Sequence, residues 1–440
     1  MASFFPLICS LVSLLLLLQT RFPFAQAAVP ASATFKFVNE GEFGDYIVEY
    51  GGTYRPLRVS SSPFQLCFYN TTPNAYTLAL RIGVQRQEPF YRWVWEANRG
   101  KPVGENATLT FGTDGNLVLA QADGRVVWRT GTANKGVVGF KLLPNGNMVL
   151  HDSKGKFLWQ SFDYATDTLL VGQFLRTGAT TKLVSRASEE QNSDGPYSLV
   201  MEPKSLAFYY TSKNSPKPML YYQWLTIDQG SLTNVTFNAE IYTDQGDATE
   251  LRFDYSAANT QFSTGGRIIA RPKYNATLTY LRLGVDGNVR LYTYNILVDY
   301  RPTEVTYTLF SRDSDDVDEC QLPSRCGNFG LCEDNQCVAC PSSKGLFGWS
   351  KECAAEKVTS CAANRFGYYK LVGVDHFTSK YTSGSTLKES DCMKKCSTDC
   401  KCLGYFYHQD KSSKCWIAYD LKTLSKVANS THVGYIKVPK

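Results

Sequence analysis

The stretch Asp114-Gly-Asn-Leu-Val-Leu-Ala-Gln-Ala-Asp-Gly-Arg-Val-Val-Trp128 returns 31 residues later as Asn145-Gly-Asn-Met-Val-Leu-His-Asp-Ser-Lys-Gly-Lys-Phe-Leu-Trp159. A fainter copy lies upstream in Trp93-Val-Trp95-Glu-Ala-Asn98, whose Trp95 precedes Trp128 by 33 residues. So short a period, marked by tryptophans, restricts the chain to stacked, equivalent β units, because no such unit buries its apolar face alone. Within each copy the residues alternate. Leu117 and Leu119 face one side of a strand and Asp114, Asn116 and Val118 the other, and Met148 and Leu150 stand against Asn147, Val149 and His151 in the same way. The pairs Asp123-Gly124 and Lys154-Gly155 predict tight turns, after which Val126-Val127-Trp128 and Phe157-Leu158-Trp159 return as second strands.

This repeat resembles that of the plant bulb-type mannose lectins, whose three-fold β-prism units carry Gln-x-Asp-x-Asn-x-Val-x-Tyr. The resemblance implies that alternate residues form one polar face that hydrogen-bonds mannose hydroxyls, with the Val methyls against the sugar ring. The two copies read Gly112-x-Asp114-x-Asn116-x-Val118-x-Ala120 and Leu143-x-Asn145-x-Asn147-x-Val149-x-His151, so the Gln and Tyr positions are replaced in both. A neutral imidazole carries one donor and one acceptor, which lets His151 stand in for the Tyr; Ala120 has neither. The candidate carbohydrate-binding residues are therefore Asp114, Asn116, Val118, Asn145, Asn147, Val149 and His151, with the second copy expected to bind better. A plainer reading stands beside this one: Asp-Gly and Asn-Gly form turns that need positive φ, which by itself accounts for Asp114-Gly115 and Asn145-Gly146.

Further segments resemble the S-locus glycoproteins and their receptor-kinase relatives. Phe64 to Ile82 and Trp93-Val-Trp95-Glu-Ala-Asn98-Arg99 are similar to the opening of their lectin region, and Trp159-Gln-Ser-Phe-Asp163-Tyr-Ala-Thr-Asp-Thr168 is similar to their Trp-x-Ser-Phe-Asp-x-Pro-Thr-Asp-Thr, with Ala165 for the Pro. Leu281-Arg-Leu-Gly-Val-Asp286-Gly-Asn-Val-Arg-Leu-Tyr-Thr-Tyr294 resembles another element of theirs and echoes the Asp-Gly-Asn repeat. Residues 28–165 are accordingly expected to form a bulb-type lectin domain and 166–315 a second, divergent β-prism.

At 440 residues and 43% hydrophobic composition the chain is long enough for two to four domains with cores of their own. The apolar run Leu7 to Leu18 and the small-x-small site Ala25-Gln-Ala27 predict a secretory signal peptide over residues 1–27. No second spanning stretch follows, so no membrane span is expected in the mature chain. The sequons at Asn70, Asn106, Asn234, Asn275 and Asn429 agree with secretion. Net charge is +6 without a basic cluster, which excludes a nucleic-acid site and favours weak adhesion to anionic cell-wall polysaccharide.

Of 14 cysteines, twelve crowd into residues 320–415. In an oxidising compartment such clustering means disulfides, with zinc the rival explanation. Cys320, Cys326, Cys332, Cys337, Cys340 and Cys353 resemble an EGF-like module (316–356), and six cysteines alone allow 15 connectivities. The family pairing implies Cys320 with Cys332, Cys326 with Cys337 and Cys340 with Cys353. Asp316-Val-Asp318-Glu319 reads either as a calcium-binding start or as an acidic linker. Asp391-Cys-Met-Lys-Lys-Cys-Ser-Thr-Asp-Cys-Lys-Cys-Leu-Gly-Tyr405 resembles the core of a PAN/apple module (357–440), which implies Cys392 with Cys415, Cys396 with Cys402 and Cys361 with Cys400. Cys67 is left over, either a buried thiol or half of an intermolecular bridge.

The chain is thus expected to be mainly β: tandem bulb-lectin-like β-prisms followed by disulfide-rich EGF-like and α+β PAN modules. This order resembles that of the secreted, kinase-less S-domain glycoproteins of plants, including the epidermis-type extracellular glycoproteins. It implies a non-catalytic glycoprotein of the extracellular space or cell wall, with mannose-type glycans or glycoproteins and a protein bound through the PAN module as partners. A scaffold that has lost sugar binding is the alternative. His151, His376, His408 and His432 are scattered, without the nucleophile elbow, paired acids or metal spacing of an enzyme, so no catalytic residue, cofactor or metal is expected. Tyr405, Phe406, Tyr407 and Trp416 are anchor types for a protein interface, with at most two expected to be exposed.

Overall fold

The computed structural model describes residues 28–83, 90–228, 230–242, 246–257, 260–270, 278–295, 303–313, 317–360, 362 and 364–440. The expected signal segment, Asn275 and Cys361 lie outside them. The chain is mainly β and forms two compact units that do not follow chain order. Residues 28–41, Val103–Leu143 and Asn147–Gln160 make the first; Glu42–Pro102, Pro144–Gly146 and Ser161–Lys440 make the second.

The first unit holds both copies of the repeat. Leu117–Ala120 lies between Thr108–Phe111 and Val126–Arg129, with Phe35–Val38 at the edge; Gly139–Leu142, Met148–His151 and Phe157–Gln160 form a three-stranded sheet. The equivalence extends to register. Leu119 pairs with Trp128 and Leu150 with Trp159, and each ladder slips at the next residue, Ala120 or His151. The turns are one residue longer than the tightest hairpin. Gln121 N donates to Arg125 O at 2.9 Å and Asp152 N to Lys156 O at 3.0 Å, so Gly124 and Gly155 take the left-handed position that closes a three-residue loop. Leu109, Phe111, Leu117, Leu119, Met148 and Leu150 are buried, and Trp128 meets Trp159 edge-on at 5.9 Å.

In the second unit, Thr53–Ser61, Phe64–Asn70, Thr77–Ile82 and Phe90–Glu96 form a sheet that Ile47–Val48 extends in parallel. From sequence this stretch is expected with the repeats, in residues 28–165. It clusters instead with residues beyond 160, and two buried ion pairs give the physical reason. Glu96 accepts from Arg186 at 2.9 Å; Glu49 accepts from Arg282 at 2.6 Å and from Arg92 at 3.1 Å. Arg186 also donates to the Tyr69 hydroxyl at 2.7 Å, and Arg282 to the Trp93 carbonyl. A buried guanidinium is tolerated only when ionised and hydrogen-bonding partners replace its water. Cys67 is fully buried and free, packed beside Tyr69 and Trp93; burial pushes its thiol up to about 12, so it acts as a small apolar filler.

Residues 168–308 build three four-stranded sheets by an ordered exchange. Thr168–Leu170, Phe174–Arg176 and Lys182–Arg186 each take the edge of a different sheet. The chain then completes those sheets in reverse: Asp194–Met201, Leu206–Tyr210 and Met219–Trp224 join the third; Ser231–Tyr242, Gly246–Ala257 and Thr260–Ala270 the second; Leu278–Leu283, Val289–Tyr294 and Thr303–Thr308 the first. Leu169, Leu175 and Leu183, one from each edge strand, are buried in a single core with Phe208, Tyr221 and Phe310. Each such leucine contributes about 1.5–3 kcal/mol on burial. Three sheets around one apolar core fit a β-prism.

The C-terminal region is a pair of five-stranded sheets. Gly345–Gly348, Gln336–Ser342, Phe329–Glu333, Lys422–Lys426 and Val374–His376 form one, and Phe366–Val372, His432–Pro439, Gly404–His408, Lys414–Ala418 and Ser385–Thr386 the other. The parallel pairing of Phe329–Glu333 with Lys422–Lys426 crosses the expected boundary at 356/357, so the two cysteine groups share one sheet. Disulfides join Cys320 to Cys332, Cys326 to Cys337, Cys340 to Cys353, Cys392 to Cys415 and Cys396 to Cys402. Cys400 is also disulfide-bonded. The helix Glu389–Ser397 carries acids in its first turn and lysines in its last, as the helix dipole favours, and turns Cys392 and Cys396 inward together. Tyr405, Phe406, Tyr407 and Trp416 are all buried, so they are core and none is an exposed anchor.

Two outcomes follow from this architecture. Arg282→Met strands Glu49 without its main partner and should lower unfolding stability by about 3–5 kcal/mol in urea melts, whereas Glu49→Leu with Arg282→Met should cost less than that single change. Mild reduction should expose the region beyond residue 317 to limited proteolysis before the 168–308 sheets, since removing a native disulfide from a small domain costs about 2–5 kcal/mol.

Candidate carbohydrate face and histidine cluster

Three Asp/Asn-Gly-Asn turns share one geometry. Gly112 N donates to Asn116 O at 3.2 Å, Leu143 N to Asn147 O at 2.8 Å and Gly284 N to Asn288 O at 2.8 Å. Asp114 and Asp286 each accept from the backbone N–H two residues on, at 3.0 and 3.1 Å. The middle glycine has φ of 77°, 86° and 81° in turn, and at Gly287 a Cβ would lie 2.6 Å from the Tyr197 ring, so both conformation and space require glycine there.

The asparagine that follows is used internally each time. Asn116 Oδ1 accepts from Thr130 Oγ1 at 3.0 Å and Thr132 N at 3.1 Å; Asn147 Nδ2 donates to Gln160 Oε1 at 2.9 Å; Asn288 clasps both backbone groups of Phe310 at 2.9 and 3.0 Å. Asn116 is 8% exposed, Asn147 4% and Val149 0%. Alternation places these residues on the side of the strand opposite the leucines, but it does not leave that side open. Met148, Val149 and Leu150 are buried in succession, so both sides of the second-copy strand are covered. Asp114 and Asn145 are exposed, while Val118 and His151 are half-buried. His151 Nδ1 lies 3.0 Å from Asp152 O, and its ring crosses its strand partner Gly139, where a Cβ would come within 2.8 Å of Nε2. In each copy the asparagine after the glycine is thus out of reach, with Val149 enclosed as well in the second; the first copy offers Asp114 and Val118, and the second, expected from sequence to bind better, offers Asn145 and His151.

The sequons differ in access. Asn106 and Asn429 are exposed, and Asn234 is half-buried with its amide donating to Thr236 Oγ1 at 2.8 Å. Asn70 is 7% exposed and accepts from the Thr53 hydroxyl at 2.5 Å.

Two of the four histidines, expected to be scattered, meet in space. Strands Gly404–His408 and His432–Pro439 pair so that His408 and His432 are direct cross-strand partners, their rings stacked 3.5 Å apart. Asp375, from the other sheet, places Oδ1 3.1 Å from His408 Nε2 and Oδ2 2.9 Å from His432 Nδ1. The three residues line a groove of about 520 Å³ with Asp318, Asn335 and Lys426. No spacing in the sequence signals this, because it arises from pairing between strands 24 residues apart and a third strand in a different sheet. His376, next to Asp375, is buried, with Nε2 2.9 Å from Asp420 O and Nδ1 2.8 Å from Thr378 Oγ1. Burial lowers its pKa to about 4 against the opposing pull of Asp420 and Asp375.

Residues 92–189, which include both repeat copies, match the D-mannose binding lectin family model. The epidermis-specific secreted glycoprotein EP1 of Daucus carota is 58% identical over 390 residues, covering 85% of this chain and 99% of the carrot protein. The chain belongs to the EP1-like glycoprotein family. EP1-like glycoprotein 4 of Arabidopsis thaliana is 53% identical over 94% of both chains, and an S-locus-specific glycoprotein of Brassica oleracea is 28% identical over 71% of this chain and 72% of its own. This EP1-like chain is therefore a secreted, extracellular, lectin-like glycoprotein with disulfide bonds. Among the described residues, no helix is long and apolar enough to cross a membrane.

His376 gives the C-terminal region a pH dependence of known sign. Its ordinary pKa is about 6.5 and its folded value about 4, so the unfolded chain binds the extra proton between those limits. Stability from this group is complete above pH 6.5 and is lost as pH falls toward 4, by about 3 kcal/mol. Urea midpoints of the wild type should fall across that window, and those of His376→Gln should fall less.

Proposed function

We propose that this chain is a non-catalytic extracellular glycoprotein that binds mannose-type glycans weakly through the first copy of its lectin repeat. The match of residues 92–189 to a D-mannose binding lectin model carries the reading, and its assignment to the first copy rests on the exposed Asp114 carboxylate, a stronger acceptor than the neutral Asn145 amide that the second copy presents at like exposure. A carboxylate accepts sugar hydroxyls, and an aliphatic side chain on the same face covers the apolar side of the ring. In this reading the lectin region spans 28–165, with its 42–102 strands packed with the S-locus-like region 166–315, and EGF-like (316–356) and PAN-type (357–440) modules contribute protein or glycan contacts at the cell wall. Asn106 and Asn429 are the sequons whose exposure supports glycan attachment.

A second reading, a wall scaffold without sugar binding, is supported by the internal use of the Asn116 and Asn147 side chains. A mannose-type glycan array separates the two. Retention of the secreted protein that is abolished by Asp114→Ala with Val118→Lys supports the lectin reading, and no retention on any glycan supports the scaffold. Asn116→Ala should instead destabilise the fold by about 1–3 kcal/mol, the cost of leaving buried hydrogen-bonding groups unpaired.

A further inference from the structure

We propose that Asp375, His408 and His432 form a binding site for a first-row divalent transition-metal ion of the zinc class. One ligand atom from each residue lies within 4.8 Å of the other two. A tetrahedral ion about 2.0–2.2 Å from nitrogen and oxygen donors needs those donors about 3.3 Å apart. His408 Nε2 and His432 Nδ1 stand 3.1 and 2.9 Å from opposite oxygens of Asp375, so both ring nitrogens already face the one carboxylate that would share the ion with them. The stacked imidazoles must also splay by rotation about χ2, since both lone pairs have to point at one centre.

The donor chemistry is selective. Two imidazole nitrogens and one carboxylate suit zinc, copper or nickel, whereas calcium and magnesium take oxygen ligands in larger number. The backbone placement is pre-formed and only the rings must turn: His408 and His432 are fixed opposite each other in a hydrogen-bonded ladder, and Asp375 comes from a strand of the neighbouring sheet. A bound ion would tie the two C-terminal sheets together and leave its fourth position on the groove for water or an external ligand. Among the described residues the other convergent donor set, Cys326, Cys332 and Cys337, is consumed by disulfides.

The test is calorimetric titration of untagged, chelator-treated, full-length secreted protein with Zn²⁺, and separately with Ca²⁺. One Zn²⁺ per chain is expected, with no comparable Ca²⁺ uptake. His432→Ala and Asp375→Asn should each weaken Zn²⁺ binding at least ~10-fold. Asp375→Asn keeps the side-chain volume and one acceptor oxygen, so it carries the test if His432→Ala does not fold, and matching circular dichroism confirms that each variant is folded. Cu²⁺ bound at the site should quench Trp416, whose ring lies 4.5 Å from that of His408, with a midpoint that moves in the same variants. Absence of saturable Zn²⁺ uptake by the wild type, or equal affinity in the folded variants, overturns the proposal.

Discussion

Two buried arginines hold the larger unit together. Arg186 and Arg282 arise late in the chain, and their partners Glu96 and Glu49 lie in the early sheet, 90 and 233 residues away in sequence. Desolvating such charges costs several kcal/mol each, and removing one partner forfeits the compensation while leaving the cost. The pairs therefore act as register pins as much as sources of stability: the sheet spanning 47–96 has one arrangement against these strands in which both guanidinium groups find a carboxylate and a further oxygen, from Tyr69 or Trp93. Tyr69 stacks on Trp93 at 4.1 Å, so the two polar anchor points are also apolar neighbours.

A different solution operates past residue 317. A core of its own, with Phe329, Phe406, Trp416 and Leu424, is buried there, and disulfides add to it by restricting the unfolded chain. Sharing one sheet between the two cysteine groups adds a backbone ladder that neither group makes alone. The same interleaving brings Asp375 beside His408 and His432, so the arrangement that stabilises the region also assembles its donor cluster.

The lectin repeat shows how turn chemistry and sugar recognition compete for the same residues. An Asx turn needs a carboxylate or amide oxygen at its first position and a left-handed glycine next, and both persist at Asp114 and at Asp286. The asparagine two positions on then satisfies backbone or side-chain groups of the following segment at Thr132, Gln160 or Phe310. A buried amide with a partner of this kind is costly to release to a ligand.

The sequence by itself determined the repeat, the hairpin that each copy forms, the mainly β class and the crowding of cysteines toward the C-terminus. These rest on local periodicity and turn residues, which act over a few positions. The tertiary structure alone decided that residues 42–102 cluster with the strands beyond 160, that Val149 and Asn147 are enclosed, that Tyr405 and Trp416 are core, and that two distant histidines, His408 and His432, meet at Asp375. Period-2 alternation says which side of a strand a residue occupies, and only packing between sheets says whether that side meets water, another side chain or a buried charge.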